Sequence, residues 1–460
     1  MKKINILLIV LFVFMIKLQS NAQAVQYITK GDKSQLFQEK KIVPIKAQNV
    51  DATIEVNNNK TFQTMEGFGF ALTGGSATLI DALPSAKKKA LLKEIFGKGP
   101  NGLGVSYIRI SMGASDLDAD VFSYCDLPKG ETDKALKHFN LSQDTIHLIP
   151  IIKEALKINP ALKIMASPWS PPVWMKSNGA SMGGHLMKEY YDTYALYFAK
   201  YIKAMKAKGI HISSVTMQNE PEHGGNNPSL LMTAAEQKEF LRDYLGPKFK
   251  EEKINTAIVL YDHNADHPNY PISILDDAKA KAFATGTAFH LYLGHESALS
   301  TVHNAHPDKK LYFTEQWTGA KGSFDGDLFW HTEHIVIGTI NNWSSAVIEW
   351  NLAANAKFEP HTPGGCTECK GAFTIQGEEI SRNVSYYIIG HIAKFVPAGA
   401  KRIESSSTSD SIKSTSFLLP NGKKVSIILN ANETKTIELK NNKQHYSMEL
   451  PSGSVSTIVW

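Results

Sequence analysis

The chain has 460 residues, 43% of them hydrophobic and 20% charged, with a formal net charge of +5. That composition is ordinary for a globular protein, and with no basic block or Arg-rich strip it excludes a nucleic-acid-binding surface. Three cysteines are too few for a disulfide-built scaffold.

The N-terminus reads MKK, then apolar from Ile6 to Ile16, then polar as far as Ala22-Gln23-Ala24. A basic start, a short apolar run and a small-x-small site describe a secretory signal peptide over residues 1–24. The run is shorter than the roughly 20 residues a bilayer span needs, and no later stretch is long and apolar enough. Export to a periplasm or to the outside is expected, with no stable membrane insertion. Residues 25–62 are polar with weak strand signals.

From residue 63 to 397, short apolar runs alternate with helically periodic stretches. They are MEGFGF, VSYIRIS, LKIMAS, SSVTMQNE, TAIVLYD, TAFHLY, LYFTE and AVIEWN. Eight strand-then-helix units imply an α/β fold, a (β/α)8 TIM barrel. A doubly wound sheet would carry a Gly-rich phosphate turn, and GFGFALTGG lacks the GxGxxG spacing. Most of the runs end on groups able to bind or react: Arg109, Asn219 and Glu220, Asp262, His290 and Tyr292, Glu315, and Trp350. Barrel enzymes place their sites at these strand ends. After residue 397 the pattern changes to short alternating strands with turns at PNG and PSG. Residues 398–460 are expected to form an accessory β-sandwich, completed by the N-terminal segment.

Two runs stop on a glutamate, TMQNEP at Glu220 and LYFTE at Glu315. Two carboxylates facing one pocket are the minimum equipment for glycoside hydrolysis. Cys366 and Cys369, in GGCTECKG, lack a second pair at zinc-knuckle spacing and are a disulfide candidate, with Cys125 left as a buried free thiol. His331-x-x-His334 is better explained by a helical surface or a capped core than by a metal. No metal or cofactor is expected.

The strings EGFGFALTGGSA, YIRISMGASDLDA, ASPWSPPVWMKSNG, TMQNEP, FHLY, YFTEQW and EWNLA occur in that order. The set resembles glycoside hydrolase family 30, which includes lysosomal glucosylceramidase and β-1,6-glucanases. The resemblance implies a retaining β-glycosidase with Glu220 as acid/base and Glu315 as nucleophile. It further implies that Asn219 binds the 2-hydroxyl, Arg109 lowers the nucleophile's pKa, Trp169 and Trp350 bound the glucose site, and His290 and Tyr292 support the carboxylates. An aspartate is implied on the turn after the first strand, where Gly74 stands; Asp116, Asp118 and Asp262 are the candidates to replace it. That departure, with no membrane-docking segment, favours a β-1,6-glucan, held by platforms such as Trp174 and Trp317. The alternative is glucosylceramide or another β-glucoside.

Overall fold

The computed structural model describes residues 24–44, 49–442 and 444–460; most of the expected signal peptide, residues 1–23, lies outside them. Ala24, its expected last residue, already opens a strand and is fully buried. No described helix is long and apolar enough to cross a membrane.

Eight parallel strands close into a barrel. In chain order they are Gly67–Ala71, Tyr107–Ser111, Lys163–Ser167, Ser214–Thr216, Ala257–Ala265, Ala284–Gly294, Lys310–Glu315 and Ser344–Asn351. The last pairs with the first, Ala346 opposite Gly67. Gly69 permits a close approach at the first seam, since a Cβ there would lie 2.1 Å from the Tyr107 carbonyl oxygen.

Alternation along the strands sorts the side chains into two layers. Tyr107, Met165, Val259, Ala288, Tyr312, Ala346 and Ile348 fill the barrel interior. Their neighbours Ile108, Ile164, Ile258, Leu260, Phe313 and Val347 face the surrounding helices. The helix Tyr191–Ala207 carries Tyr194, Tyr197 and Tyr201, all fully buried on its inner stripe.

The second unit is one nine-stranded sheet. Strands from both ends of the chain share it: Ala24–Lys30 pairs with Ser454–Val459, and Ala52–Thr64 lies between Lys401–Ser407 and Lys435–Asn441. The sheet has a core of its own that includes Ile42, Ile54, Ile437 and Met448.

Candidate active site

The strand ends meet at one cavity of about 250 Å³, walled by Asp116, Glu220, His223, Asn226, His263, Asn264, Tyr292, Glu315, Trp317, Trp350 and the Cys366–Cys369 pair. Beneath it lies a buried ionic network. Arg109, fully enclosed, donates to Glu315 at 2.6 Å, to Asn219 Oδ1 at 2.6 Å, to Asp262 at 2.7 Å and to Ser167 Oγ at 3.1 Å. Asp262 also accepts from Thr216 and Thr314, each at 2.7 Å. Arg109 and His290, working against burial, hold its carboxyl far below the usual range.

His290 joins this network to the cavity. Its Nδ1 lies 3.2 Å from Glu220 and its Nε2 3.2 Å from Asp262. Both neighbours are acceptors, so both ring nitrogens carry protons. Although burial opposes it, the surrounding carboxylates raise His290 to about 9. One atom each from Glu220, His290 and Glu315 lie within 4.8 Å of one another. A doubly protonated imidazole has no lone pair for a cation, so the trio is an ion-pair cluster.

Glu315 closes its strand. Strict alternation would turn it outward after Thr314, but the register slips between Phe313 and Glu315 and brings it inward. Tyr292 donates to it at 3.0 Å. Glu220 arrives differently. Its strand ends at Thr216, so Glu220 sits on the following loop with φ at +46°. That left-handed backbone is uncommon for a side-chain-bearing residue and concentrates at functional sites. Asn226 donates to Glu220 at 3.3 Å.

Two anions this close compete for protons. Burial leaves the Glu315 carboxyl raised, with His290 and Arg109 opposing and Glu220 adding. Burial acts on Glu220 too, but the hydrogen bond and positive charge of His290 outweigh it and leave Glu220 lowered.

The residues read from the sequence divide by depth. Glu220, Glu315, Tyr292 and Trp350 reach the cavity wall. Arg109 and His290 lie wholly beneath it, against the carboxylates of Glu315, Asp262 and Glu220. Asn219 is buried against Arg109. Trp169 stacks on Trp350, ring centroids 5.4 Å apart, and is not among the residues that wall the cavity. Of the two platforms, Trp317 lines the cavity, whereas Trp174 packs on Tyr190 and donates to the Cys125 carbonyl.

The Gly74 argument changes as well. A Cβ at Gly74 would lie 1.6 Å from Asp118 Oδ1, so that space is already filled. Asp118 is tied to the Ser115 N–H and hydroxyl, and Asp262 belongs to the buried network. Asp116 alone of the three lines the cavity, where burial and nearby Glu315 push its carboxyl up to about 7. Position 74 therefore says nothing against glucosylceramide. Asp116, His223, Asn226, His263 and Asn264 were not singled out as site residues, although Asp116 stood among the replacements.

Cys366 and Cys369 are disulfide-bonded, and the Cys366 N–H donates to Asp116 at 3.3 Å. A bridge closing so short a loop adds about 2 kcal/mol at most. Cys369→Ser is therefore expected to lower Tm by only a few degrees while raising KM severalfold, because the loop beside Asp116 loosens. Peptide mapping without reduction should find the pair linked and Cys125 free; a linked Cys125 would refute this. Cys125 is buried and unpaired, its thiol raised to about 11. His331 and His334 diverge, His331 to Glu349 at 2.6 Å and His334 to Glu296 at 3.4 Å.

Comparison with known proteins covers most of the chain. The glycosyl hydrolase family 30 TIM-barrel domain matches residues 65–396, and the family 30 beta sandwich domain matches residues 399–458. The endo-1,6-beta-D-glucanase neg1 of Aspergillus fumigatus is 32% identical over 434 residues, covering 88% of this chain and 87% of that protein. Putative glucosylceramidase 3 of Caenorhabditis elegans is 29% identical over 439 residues, covering 90% and 83%. Among solved structures, the endo-beta1,6-glucanase BT3312 superposes with a TM-score of 0.88 at 36% identity, covering 95% of this chain and 99% of that one. The chain is a glycoside hydrolase and belongs to glycoside hydrolase family 30.

Proposed function

We propose that this enzyme hydrolyses β-1,6-linked glucan with retention of configuration, Glu220 serving as acid/base and Glu315 as nucleophile. The observation that carries the mechanism is the approach of the two carboxylates to within 4.8 Å at the cavity wall. Retaining enzymes hold their carboxyl groups about 5 Å apart, while inverting ones leave room for a water at roughly 6.5–9.5 Å.

The direct bonds support the division of roles. Glu315 takes a charge-assisted bond from Arg109 and a second from Tyr292, which keep an attacking oxygen ionised. Glu220 has only longer contacts, to His290 and Asn226. Burial raises Glu315 and the His290 contact lowers Glu220, which runs the other way. A sugar over Glu220 displaces water there and offers a glycosidic oxygen that only the protonated acid can bond. Both effects favour a protonated Glu220, while the Arg109 bond to Glu315 persists.

Glu220 then protonates the leaving oxygen as Glu315 attacks the anomeric carbon. In the second half Glu220 takes a proton from water, which attacks the glycosyl-enzyme from the face the leaving group vacated. Asn219, its Oδ1 held by Arg109, keeps its amide N–H groups for the 2-hydroxyl. Asp116 is the carboxylate placed to grip outer hydroxyls, and Trp317 and Trp350 offer aromatic faces to the sugar.

The β-1,6 linkage is supported by the relatives named endo-1,6-glucanase, one of them solved as a structure. Export is supported by the MKK start, the Ile6–Ile16 run and the Ala22-Gln23-Ala24 site. Proton NMR of pustulan digestion should show the β-anomer appearing first, with kcat/KM higher on β-1,6-gluco-oligosaccharides than on glucosylceramide in detergent. An initial α-anomer would overturn retention. Glucosylceramide cleavage without sugar release from pustulan would overturn the substrate.

A further inference from the structure

The fifth barrel strand, Ala257–Ala265, loses its alternation where it reaches the cavity. Its register against Ala284–Gly294 shifts between Tyr261 and His263 and again between Asn264 and Ala265. Asp262, inside the first shift, has φ at +66°. A regular strand sends adjacent side chains to opposite faces; here His263 and Asn264 are adjacent and both line the cavity. Irregularities of this kind beside active sites re-aim side chains.

Both side chains have their acceptor atom occupied by backbone. The Glu222 N–H donates to His263 Nδ1 at 3.4 Å. The Tyr292 and Leu293 N–H groups donate to Asn264 Oδ1 at 3.0 and 3.3 Å. A neutral imidazole accepting at Nδ1 carries its proton on Nε2. Burial pulls His263 down to about 4, so the ring is neutral at neutral pH. What remains for the cavity is His263 Nε2–H and the Asn264 amide N–H groups, neither of them hydrogen-bonded to a described residue.

The wall is thus chemically divided. Asp116, Glu220 and Glu315 offer oxygens, while His263 and Asn264 offer fixed donors. The donor side adjoins the acid/base loop, because Glu222, which contacts His263, lies just beyond Glu220. The leaving group departs on that side of the scissile bond. Resting on Glu220 as the acid/base, we propose that His263 and Asn264 form the subsite holding the departing glucosyl unit, their N–H groups donating to its ring and hydroxyl oxygens.

The test compares two substrates that share the glucosyl half and differ in what leaves. β-1,6-Glucotriose has a sugar leaving group, whereas β-glucosyl fluoride puts nothing in a sugar subsite. His263→Ala removes one donor. Asn264→Asp removes the amide donors but keeps the oxygen that ties Tyr292 and Leu293. Each should lose at least about tenfold more kcat/KM on the trisaccharide than on the fluoride. His263→Gln, which restores an N–H, should recover part of the difference. Reactivation of a trapped 2-deoxy-2-fluoroglucosyl-enzyme by gentiobiose should slow by a similar factor. Equal losses on both substrates would mean that the pair acts through Glu220 or the fold, and would overturn the subsite while leaving the glucanase reading intact. No difference from wild type on either substrate would overturn it too. A wild type that cleaves glucosyl fluoride but no β-1,6-glucan would overturn the glucanase reading and the subsite together.

Discussion

Glu315→Ala should lose at least about 10⁴-fold in kcat on every β-glucoside, because no glycosyl-enzyme can form without its nucleophile. Glu220→Ala should behave differently according to the leaving group. A dinitrophenolate departs without a proton, so the first step survives and glycosyl-enzyme accumulates as a burst. Azide then replaces the water that Glu220 would have activated and yields a β-glucosyl azide. Azide added to Glu315→Ala can attack only from the face the carboxylate vacated, and should yield the α-azide. The anomeric configuration of the two azides, read by NMR, assigns the roles without reference to pKa. A β-azide from Glu315→Ala would reverse them.

Arg109→Met should be nearly as severe, in both stability and activity. The guanidinium is wholly buried and bonded to two carboxylates. Removing it strands Asp262 and Glu315 with His290 as their remaining cation. Breaking a buried pair by deleting one partner costs about 3–5 kcal/mol, so Tm should drop by at least about 5 °C. Asp262→Asn keeps the shape and relieves one anion, and should cost less stability than Arg109→Met. Calorimetry of the two variants beside wild type checks the order. An Arg109→Met protein melting with wild type would show that the network is not held by charge.

The barrel was legible because its strands are near-continuous apolar runs cut by turn residues, and closure follows from there being eight of them. Glu315 was legible for the same reason, standing at the end of LYFTE. Glu220 was found through the NEP string, yet it does not end a strand: the fourth strand stops at Thr216, and a positive φ turns the glutamate inward. Depth was not legible. Trp169 and Trp350 look alike in sequence, and only stacking order puts one on the wall and the other behind it. His263 and Asn264 escaped notice because strand periodicity sends one of any adjacent pair outward, and no composition signal announces the register shifts that cancel it. At Gly74 the sequence shows only an absent side chain; that Asp118 fills its space and that Asp116, of the three candidates, lines the cavity depends on tertiary structure.

The sheet woven from both chain ends has a consequence for how the protein is made. Gln26 bonds to Ser456 across 430 residues of sequence, and Asn57 to Glu404 across 347. Chains are synthesised at about 5–20 residues per second, so the first strands wait for their partners for roughly 20–90 s after they are made. Through that interval Ala24–Lys30 and Ala52–Thr64 present unpaired edges, the kind of surface that templates strand addition from another chain. Ala24–Lys30 can pair at once with Gln38–Ile42, but its other edge and both edges of Ala52–Thr64 are covered only by strands from beyond residue 400. Synthesis of those late strands, and not completion of the barrel, therefore ends the interval in which the early edges are open to aggregation.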